Sequence, residues 1–316
     1  MKTVSVHIVT YNSGKDIEAC LKFVATQSYP VEKVIVVDNA SGDDTLERVR
    51  RMGLPNLIVV SNDRNNGFAG GHNQAIQLSD CDYHLVLNPD VTLHPEYLQV
   101  LMEAAERHPG AGSLTGLLLS KSQLGIVDSA GLIITRSRRA FDRGQGEAVS
   151  GYLTEQEVFG VSGAAALYSR RMIDSISLDG EFFDEAFFAY KEDVDVAWRA
   201  QWAGWKAYCV PGATASHERG WKKGSRGERP LFVRRHSFEN RYRLIWKNDR
   251  MFQLLLHLPF ILPFELGQLG YLILKEGDLL SSYLHILKNA MDLNRKRREI
   301  RFKAVKSVKE VYYFFK

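Results

Sequence analysis

Residues 4–12 read VSVHIVTYN and residues 33–39 read KVIVVDN, so two short apolar runs rich in β-branched residues end in polar side chains. Residues 14–27 between them carry apolar side chains at helical spacing, which predicts a helix. The same alternation continues with a helix over 41–51, a strand over 57–60, a helix over 68–78 and a strand over 83–87. This order predicts an α/β fold with a mostly parallel sheet covered by helices on both faces.

Polar residues follow the predicted strands where each strand ends: Thr10, Tyr11 and Asn12, then Asp38 and Asn39, then Asn88 and Asp90. Ligands of such sheets bind beyond the carboxyl ends of the strands. Asp38 can accept hydrogen bonds from a ribose or a base edge, or it can belong to a turn cluster with Ser41. Asp90 is placed to hold a hard divalent cation that a diphosphate also ligates.

A glycine-rich stretch, residues 65–73, reads NNGFAGGHN and precedes a predicted helix. Close backbone approach at a helix N-terminus suits a phosphate, although a loop shaped only for packing would look the same. The stretch is not the GxGxxG motif of a dinucleotide site, so a nicotinamide cofactor is disfavoured. We expect His72 to be a packed or exposed histidine and not a ligand.

From about residue 111 the pattern changes to short strands and glycine-rich turns, followed by a helix over 192–202. Glu192 and Asp193 follow an aromatic run at the start of this helix. Neighbouring carboxylates can have their pKa values pushed apart, which suits a general base, but acids also stabilise helix N-termini without any catalytic role.

His217 follows a predicted strand, and its imidazole can join Asp90 on a metal, or it can be a surface loop histidine. Trp221, Lys222 and Lys223 come next in a loop that can close on a diphosphate or simply be solvated.

The composition and charge exclude several classes of protein. The 316 residues carry a net charge of +4, which is too small to indicate a nucleic-acid partner, and the hydrophobic fraction of 45% is that of a globular protein. Cys20, Cys81 and Cys209 form no CxxC motif, so we expect three small buried side chains in a reducing compartment. We see no secretory signal and no uninterrupted apolar stretch of about 20 residues, so no spanning helix is expected.

The C-terminal part is predicted to be helical from residue 229 onward. Residues 254–274 are apolar but interrupted by polar residues such as His257 and Glu265, and residues 295–309 hold eight basic side chains and one acidic one. This combination favours attachment to an anionic membrane surface, with the polar interruptions facing water. A packing or homo-oligomer interface is the alternative.

Taken in order, these motifs resemble the inverting family 2 glycosyltransferases of GT-A fold, especially the rhamnosyltransferase-like branch. The marks are IVTYN (8–12), VVDNAS (36–41), NGFAGGHN (66–73), LNPD (87–90), EDVD (192–195) and His217. The resemblance implies a Rossmann-like sugar-nucleotide domain with a donor-binding half over 1–110 and an acceptor-binding half over 111–228. Residues 229–316 would then be a helical extension.

The resemblance also implies roles for individual residues. Those implied to contact the donor are Thr10, Tyr11, Asn12, Asp38, Asn39, Gly67, Gly71, Asn73, Asn88 and Asp90. Asp90 and His217 would bind Mg²⁺ or Mn²⁺, and Asp193 would be the general base with Glu192 as its neighbour. Asn88 stands where the family's DxD motif has its first acid, which removes one charge from the metal site.

The implied activity is transfer of a sugar, with L-rhamnose from dTDP-rhamnose the best guess, to a hydroxyl of a glycan or lipid-linked glycan. The enzyme would work in cell-surface polysaccharide synthesis, at the cytoplasmic face of the membrane. A sugar nucleotidyltransferase would favour a lysine-containing glycine-rich loop after the first strand, which residues 10–14 lack. A non-catalytic scaffold with the same fold would tolerate loss of the acids, all of which are present.

Overall fold

The protein is seen in a computed structural model that describes residues 1–217 and 229–316. Its strands are β1 (Val4–Thr10), β2 (Lys33–Asp38), β3 (Leu57–Ser61), β4 (Tyr83–Leu87), β5 (Val91–Leu93), β6 (Ala111–Ser120), β7 (Val127–Ser129), β8 (Leu132–Ile134), β9 (Ala140–Asp142), β10 (Gln156–Val158), β11 (Ala165–Ser169) and β12 (Lys206–His217). Its helices are α1 (Ile17–Ala25), α2 (Thr45–Arg51), α3 (Gly67–Gln77), α4 (Tyr97–Arg107), α5 (Arg170–Ile176), α6 (Glu192–Trp202), α7 (Leu231–Asn248), α8 (Met251–Leu256), α9 (Leu258–Lys275), α10 (Ser281–Lys288), α11 (Ala290–Lys303) and α12 (Val308–Tyr312).

The central sheet runs in the order β10-β12-β6-β11-β4-β1-β2-β3, with β5 paired to β12 and β7 to β6. Strands β4, β1, β2 and β3 are parallel, and β11 is antiparallel between β4 and β6. The predicted α/β fold with a mostly parallel sheet is therefore confirmed. Thr10 and Asp38 are partners in the β1–β2 register, so the first two strand ends lie side by side.

Both faces of the sheet are covered by helices. One apolar core joins β1 and β2 to α1 and α4, and another joins α3, α5 and α6 to the opposite face. The three cysteines are buried free thiols, as the sequence predicted. Burial on both faces explains why β2 reads as a continuous apolar run. In β1 the residues that alternate with the apolar ones, Ser5 and His7, are fully buried as well.

The C-terminal helices share a core with the rest of the protein. Trp198 and Trp202 of α6 are fully buried and belong to the same cluster as Ile300, Val311 and Phe315. Lys247 of α7 also forms two buried ion pairs, with Asp184 at 2.5 Å and with Asp195 at 3.0 Å. Residues 295–316 are thus a structural part of the molecule, and removing them would uncover the Trp198–Trp202 face.

Two polar side chains in and next to α9, Glu265 and His257, face the protein. Glu265 lies 2.6 Å from Arg241 and accepts a 2.5 Å hydrogen bond from the Tyr242 hydroxyl, both on α7. His257, which precedes α9, lies 2.7 Å from the Arg138 guanidinium. The expectation that Glu265 and His257 face water is therefore wrong, because each has a charged or polar partner inside.

The outer face of α9 is consequently apolar. Its large exposed side chains are Leu258, Phe260, Leu262, Leu266, Leu269, Tyr271, Ile273 and Leu274, whereas Leu272 is buried. Across residues 1–217 and 229–316, no helix combines the length and apolar content that crossing a bilayer requires. An apolar face of this extent marks an interaction surface.

Candidate active site

A cleft of about 410 Å³ lies between the end of β4 and the start of α6. It brings together four of the residues that the sequence singled out, namely Asn88, Glu192, Asp193 and His217. It also includes polar residues that the sequence analysis did not single out: Asp142, Ser162, Lys191 and Ser237. Residues more than 100 positions apart thus meet at the sheet edge where the fold class predicts a ligand.

The segment that leads into α6 has an unusual backbone. Phe188, Tyr190 and Lys191 all have positive φ angles, of 59°, 74° and 70°. Such conformations cost roughly 1–3 kcal/mol each and persist only where the surroundings impose them. Here Asn240 of α7 imposes them, because its side-chain amide lies 2.8–2.9 Å from the carbonyls of residues 187, 189 and 190.

The two carboxyl groups that follow have different surroundings. Glu192 is buried, and within the described residues its Oε2 has no hydrogen-bond partner. Burial, reinforced by the charge of Asp193, raises the pKa of Glu192 well above its usual range. Burial also raises the pKa of Asp193, but hydrogen bonds from the Gly163 and Val194 amides, at 3.1 and 2.8 Å, oppose that rise. Glu192 therefore retains a proton while Asp193 ionises first, which is the arrangement that a general base needs.

Asp90 and His217 lie side by side, as a shared metal site would require, and the metal itself stays a prediction. His217 Nε2 lies 3.4 Å from Asp90 Oδ1, and His217 Nδ1 lies 2.8 Å from Asp128 Oδ2. Burial lowers the pKa of His217, but the hydrogen bonds to Asp128 and Asp90 outweigh it and raise the pKa to about 9. Asp128 was missed by the sequence analysis; its signal is a single acid inside the apolar run at 126–130.

The donor set at this position fits a divalent cation. Asp90 Oδ1 is buried and faces His217 Nε2 at 3.4 Å, so a cation bound between them would replace the proton that the raised pKa keeps on that nitrogen. Asp128 orients the ring through Nδ1, as carboxylates do for ligating histidines. No group of three or more His, Cys, Asp or Glu side chains in the described ranges is arranged to hold a metal. Two protein ligands suffice only if the donor diphosphate and water supply the others.

The residues at the ends of β1 and β2 bond mainly to one another. Asp38 is fully buried and accepts hydrogen bonds from Thr10 Oγ1 at 2.8 Å and from the backbone and side chain of Ser41 at 3.0 and 2.6 Å. Asn12 accepts a 2.8 Å hydrogen bond from the Gly42 amide, whereas Tyr11 is 54% exposed. Asp38 thus fits the turn-cluster interpretation, and Tyr11 offers the free aromatic surface at this edge.

The glycine-rich stretch is shaped by packing. A Cβ at Gly67, where φ is +73°, would lie 2.4 Å from the Phe188 carbonyl oxygen, and one at Gly71 would lie 2.7 Å from a methyl group of Val9. Asn73 is bonded through both ends of its amide to the Phe183 backbone, at 2.8 and 3.0 Å.

Asn39 and His72 complete this packed region. The Asn39 amide donates to the Gly67 carbonyl at 2.9 Å, and His72 is buried against Phe68 with ring centroids 4.3 Å apart. Of the two alternatives predicted for His72, packed or exposed, the structure shows the packed one. Gly67, Gly71, Asn73 and Asn39 therefore serve the packing of α3, and their contact with the donor stays a prediction. Trp221, Lys222 and Lys223 lie outside the described residues.

Comparison with known proteins identifies the class. The model of the family described as "Glycosyl transferase family 2" matches residues 5–176. The chain belongs to this family, and it is a glycosyltransferase.

A curated relative is N-acetylglucosaminyl-diphospho-decaprenol L-rhamnosyltransferase of Mycobacterium tuberculosis, with 30% identity over 68% of this chain and 76% of the relative. Another is the amylovoran biosynthesis glycosyltransferase AmsB of Erwinia amylovora, with 27% identity over 71% of this chain and 73% of the relative.

Solved structures share the fold at lower identity. S. aureus TarS 1-349 in complex with UDP is 18% identical with a TM-score of 0.58, covering 95% of this chain and 88% of that one. A mannosyltransferase from Pyrobaculum calidifontis in complex with GDP-Man and Mn²⁺ is 18% identical with a TM-score of 0.55, and the match covers 99% of this chain and 88% of that one. These likenesses show the GT-A transferase fold, and the neighbours bind nucleotides and, in the second case, a divalent metal.

Proposed function

We propose that this glycosyltransferase transfers L-rhamnose from dTDP-rhamnose to a hydroxyl of a lipid-linked glycan in cell-surface polysaccharide synthesis. The observation that carries the reaction type is the cleft in which the Glu192–Asp193 pair shares a wall with His217 and Asn88. The sugar and the lipid-linked acceptor are supported by the relative of Mycobacterium tuberculosis, whose name specifies both.

The chemistry follows from the two carboxyl groups. Asp193 accepts the proton of the acceptor hydroxyl while the oxygen attacks the anomeric carbon and the bond to the nucleoside diphosphate breaks. Glu192, which stays protonated, leaves the single negative charge of the pair on Asp193. One direct displacement inverts the anomeric centre, and no covalent enzyme intermediate is required.

The proposed cofactor is Mg²⁺ or Mn²⁺. When bound, it would neutralise charge on the departing diphosphate. Asp90 and His217 would hold it, Asp128 would fix the orientation of the His217 ring, and Asn88 would offer a neutral oxygen at most. Because the protein supplies few charges, we expect modest metal affinity.

Attachment to the inner face of the cell membrane completes the proposal. Residues 229–316 contain 18 basic and 8 acidic side chains, a net charge of +10 in a chain of +4 overall. The apolar outer face of α9 lies on this basic part. A basic region that carries an apolar helix face binds anionic bilayers from one side. Each basic side chain near the bilayer surface contributes about 1 kcal/mol of binding free energy.

The test is a matrix of donors and acceptors with the purified full chain. We expect turnover of dTDP-rhamnose with a polyprenyl-diphosphate-linked N-acetylglucosamine acceptor, inversion at the anomeric carbon by NMR of the product, and loss of activity in chelator. Turnover of UDP-hexoses with none of dTDP-rhamnose would reject the sugar while leaving the reaction type intact. Full activity in chelator, with no metal in the purified protein, would reject the metal.

A further inference from the structure

A second concave site lies among the C-terminal helices. Helices α7, α8, α10 and α11 enclose a groove of about 1130 Å³, above the usual range of roughly 300–1,000 Å³ for small-molecule pockets. Three of its walls are mainly apolar, with Ile245 and Trp246 from α7, Met251 and Leu254 from α8, and Ile286 and Leu287 from α10. Met251 and Leu287 are 61% and 58% exposed, so the apolar lining continues to the surface.

The fourth wall is basic. Helix α11 contributes Asn294, Arg297, Arg298 and Arg301, whose spacing places them on one face of the helix. Within the described part of the chain, neither Arg298 nor Arg301 forms an ion pair with a carboxylate, and both are exposed. Burial, followed by the charge of Arg301, lowers the pKa of Arg297. Like charges gathered without acids favour an anion at this wall.

The groove is distinct from the catalytic cleft. Ser237 of α7 lines the cleft, and Trp246 of the same helix lines the groove. Nine positions at 3.6 residues per turn are two and a half turns, so the two side chains leave opposite faces of α7, separated by about 14 Å along its axis. A ligand in the groove is therefore held away from Asp193.

We propose that this groove binds a hydrocarbon chain of a phosphate-bearing anionic membrane lipid, with the lipid phosphate against Arg298 and Arg301. The apolar walls suit the hydrocarbon chain of the lipid, and the two arginines, which have no carboxylate partner among the described residues, suit its phosphate. A purely apolar protein partner would leave these arginines without an anion. The inference rests on the proposed membrane attachment and adds a specific lipid site to it. Tyr242, which lines the groove, also donates to Glu265, so the site adjoins α9 and its apolar outer face.

The groove contains its own reporter, Trp246. We expect phosphatidylglycerol vesicles with brominated acyl chains to quench its fluorescence, since bromine atoms in the groove would be in contact with the indole. Vesicles of phosphatidylcholine with the same brominated chains should quench it much less. The Trp246→Phe variant identifies the quenched component by difference, because it keeps the other four tryptophans of the chain: Trp198, Trp202, Trp205 and Trp221.

The head-group contacts are tested by charge reversal. The double variant Arg298→Glu with Arg301→Glu should lower the affinity for phosphatidylglycerol vesicles at least about tenfold, because each basic residue near the surface contributes about 1 kcal/mol. Arg50→Glu is the control for charge reversal elsewhere, to be compared with each single variant, since Arg50 is also an exposed helical arginine but lies on α2, which does not line the groove. It should leave affinity unchanged. Leu287→Glu should abolish the quenching.

Three results would overturn the proposal in distinguishable ways. Vesicle binding without quenching of Trp246 would reject the groove and leave surface attachment standing. No binding to phosphatidylglycerol vesicles at low salt would reject both. A dimer in sedimentation that Leu287→Glu dissociates would assign the groove to a second copy of the chain. Sugar transfer to a short water-soluble acceptor, measured in parallel, tests the catalytic proposal separately and should be unaffected by these variants.

Discussion

Replacing Asp193 by Asn is the sharpest test of the proposed base. The substitution keeps the shape of the side chain, and the amide oxygen can still accept the hydrogen bond that the Gly163 amide gives to Asp193. It removes the ability to take a proton and also the weaker acceptance of one backbone hydrogen bond, because the Val194 amide donates to the second oxygen of Asp193, which becomes an NH2 group. General-base catalysis is typically worth about 10²–10⁴-fold, or about 2.7–5.5 kcal/mol of activation free energy, so kcat should fall at least roughly 100-fold.

Glu192→Gln is the matched control on the neighbouring residue. Burial keeps Glu192 protonated, and a protonated carboxylic acid and an amide are both neutral and similar in shape. Turnover should therefore change by less than about tenfold, corresponding to less than about 1.4 kcal/mol. The contrast between two adjacent carboxyl groups separates a specific role of Asp193 from general disturbance of the start of α6.

The assay is single-turnover transfer from radiolabelled sugar nucleotide to acceptor, with donor binding followed by thermal stabilisation of each variant. We expect Asp193→Asn to retain donor binding and lose the chemical step. Retention of more than about a tenth of wild-type turnover in Asp193→Asn would refute the reasoning, because a base contributes at least 10²-fold. An equal loss in Glu192→Gln would refute it too, since the base could then be either group.

Asp142→Asn should move the acid limb of the kcat/KM profile to lower pH, because the negative charge of Asp142 helps to raise the pKa of Asp193. Activity is lost as Asp193 becomes protonated, so an acid limb at unchanged pH would contradict this prediction. Asp128→Asn should weaken metal activation about 10–100-fold in metal titrations. Asn240→Ala should lower kcat without abolishing donor binding, because it releases the three carbonyls before α6. Lys247→Met removes one of the two cations beside each of Asp184 and Asp195, which keep Lys296 and Arg199 at 2.8 Å. The loss of stability should therefore stay below the roughly 3–5 kcal/mol of an unpaired buried charge and lower Tm by less than about 8 °C in calorimetry.

The packing role of the glycine-rich stretch shows where sequence reasoning is weakest. Glycines before a helix suit a phosphate and a tight contact equally well, since both need a missing Cβ. Only the fold shows that Gly71 lies against Val9 and Gly67 against the Phe188 carbonyl. Helix α9 is a similar case, because Glu265 has an internal partner on α7 that no helical periodicity reveals.

The sequence by itself determined the element order and the parallel half of the sheet, whereas the pairing of Asp90 with His217 was expected only from the family resemblance. Apolar runs and their polar ends follow from local burial, and strand ends of a parallel sheet necessarily meet at one edge. The tertiary structure alone decided which carboxyl group of Glu192 and Asp193 ionises, because pKa values depend on burial and on distant donors such as the Gly163 amide. It also decided that the last residues of the chain complete the core around Trp198, since contacts between distant segments leave no local signal.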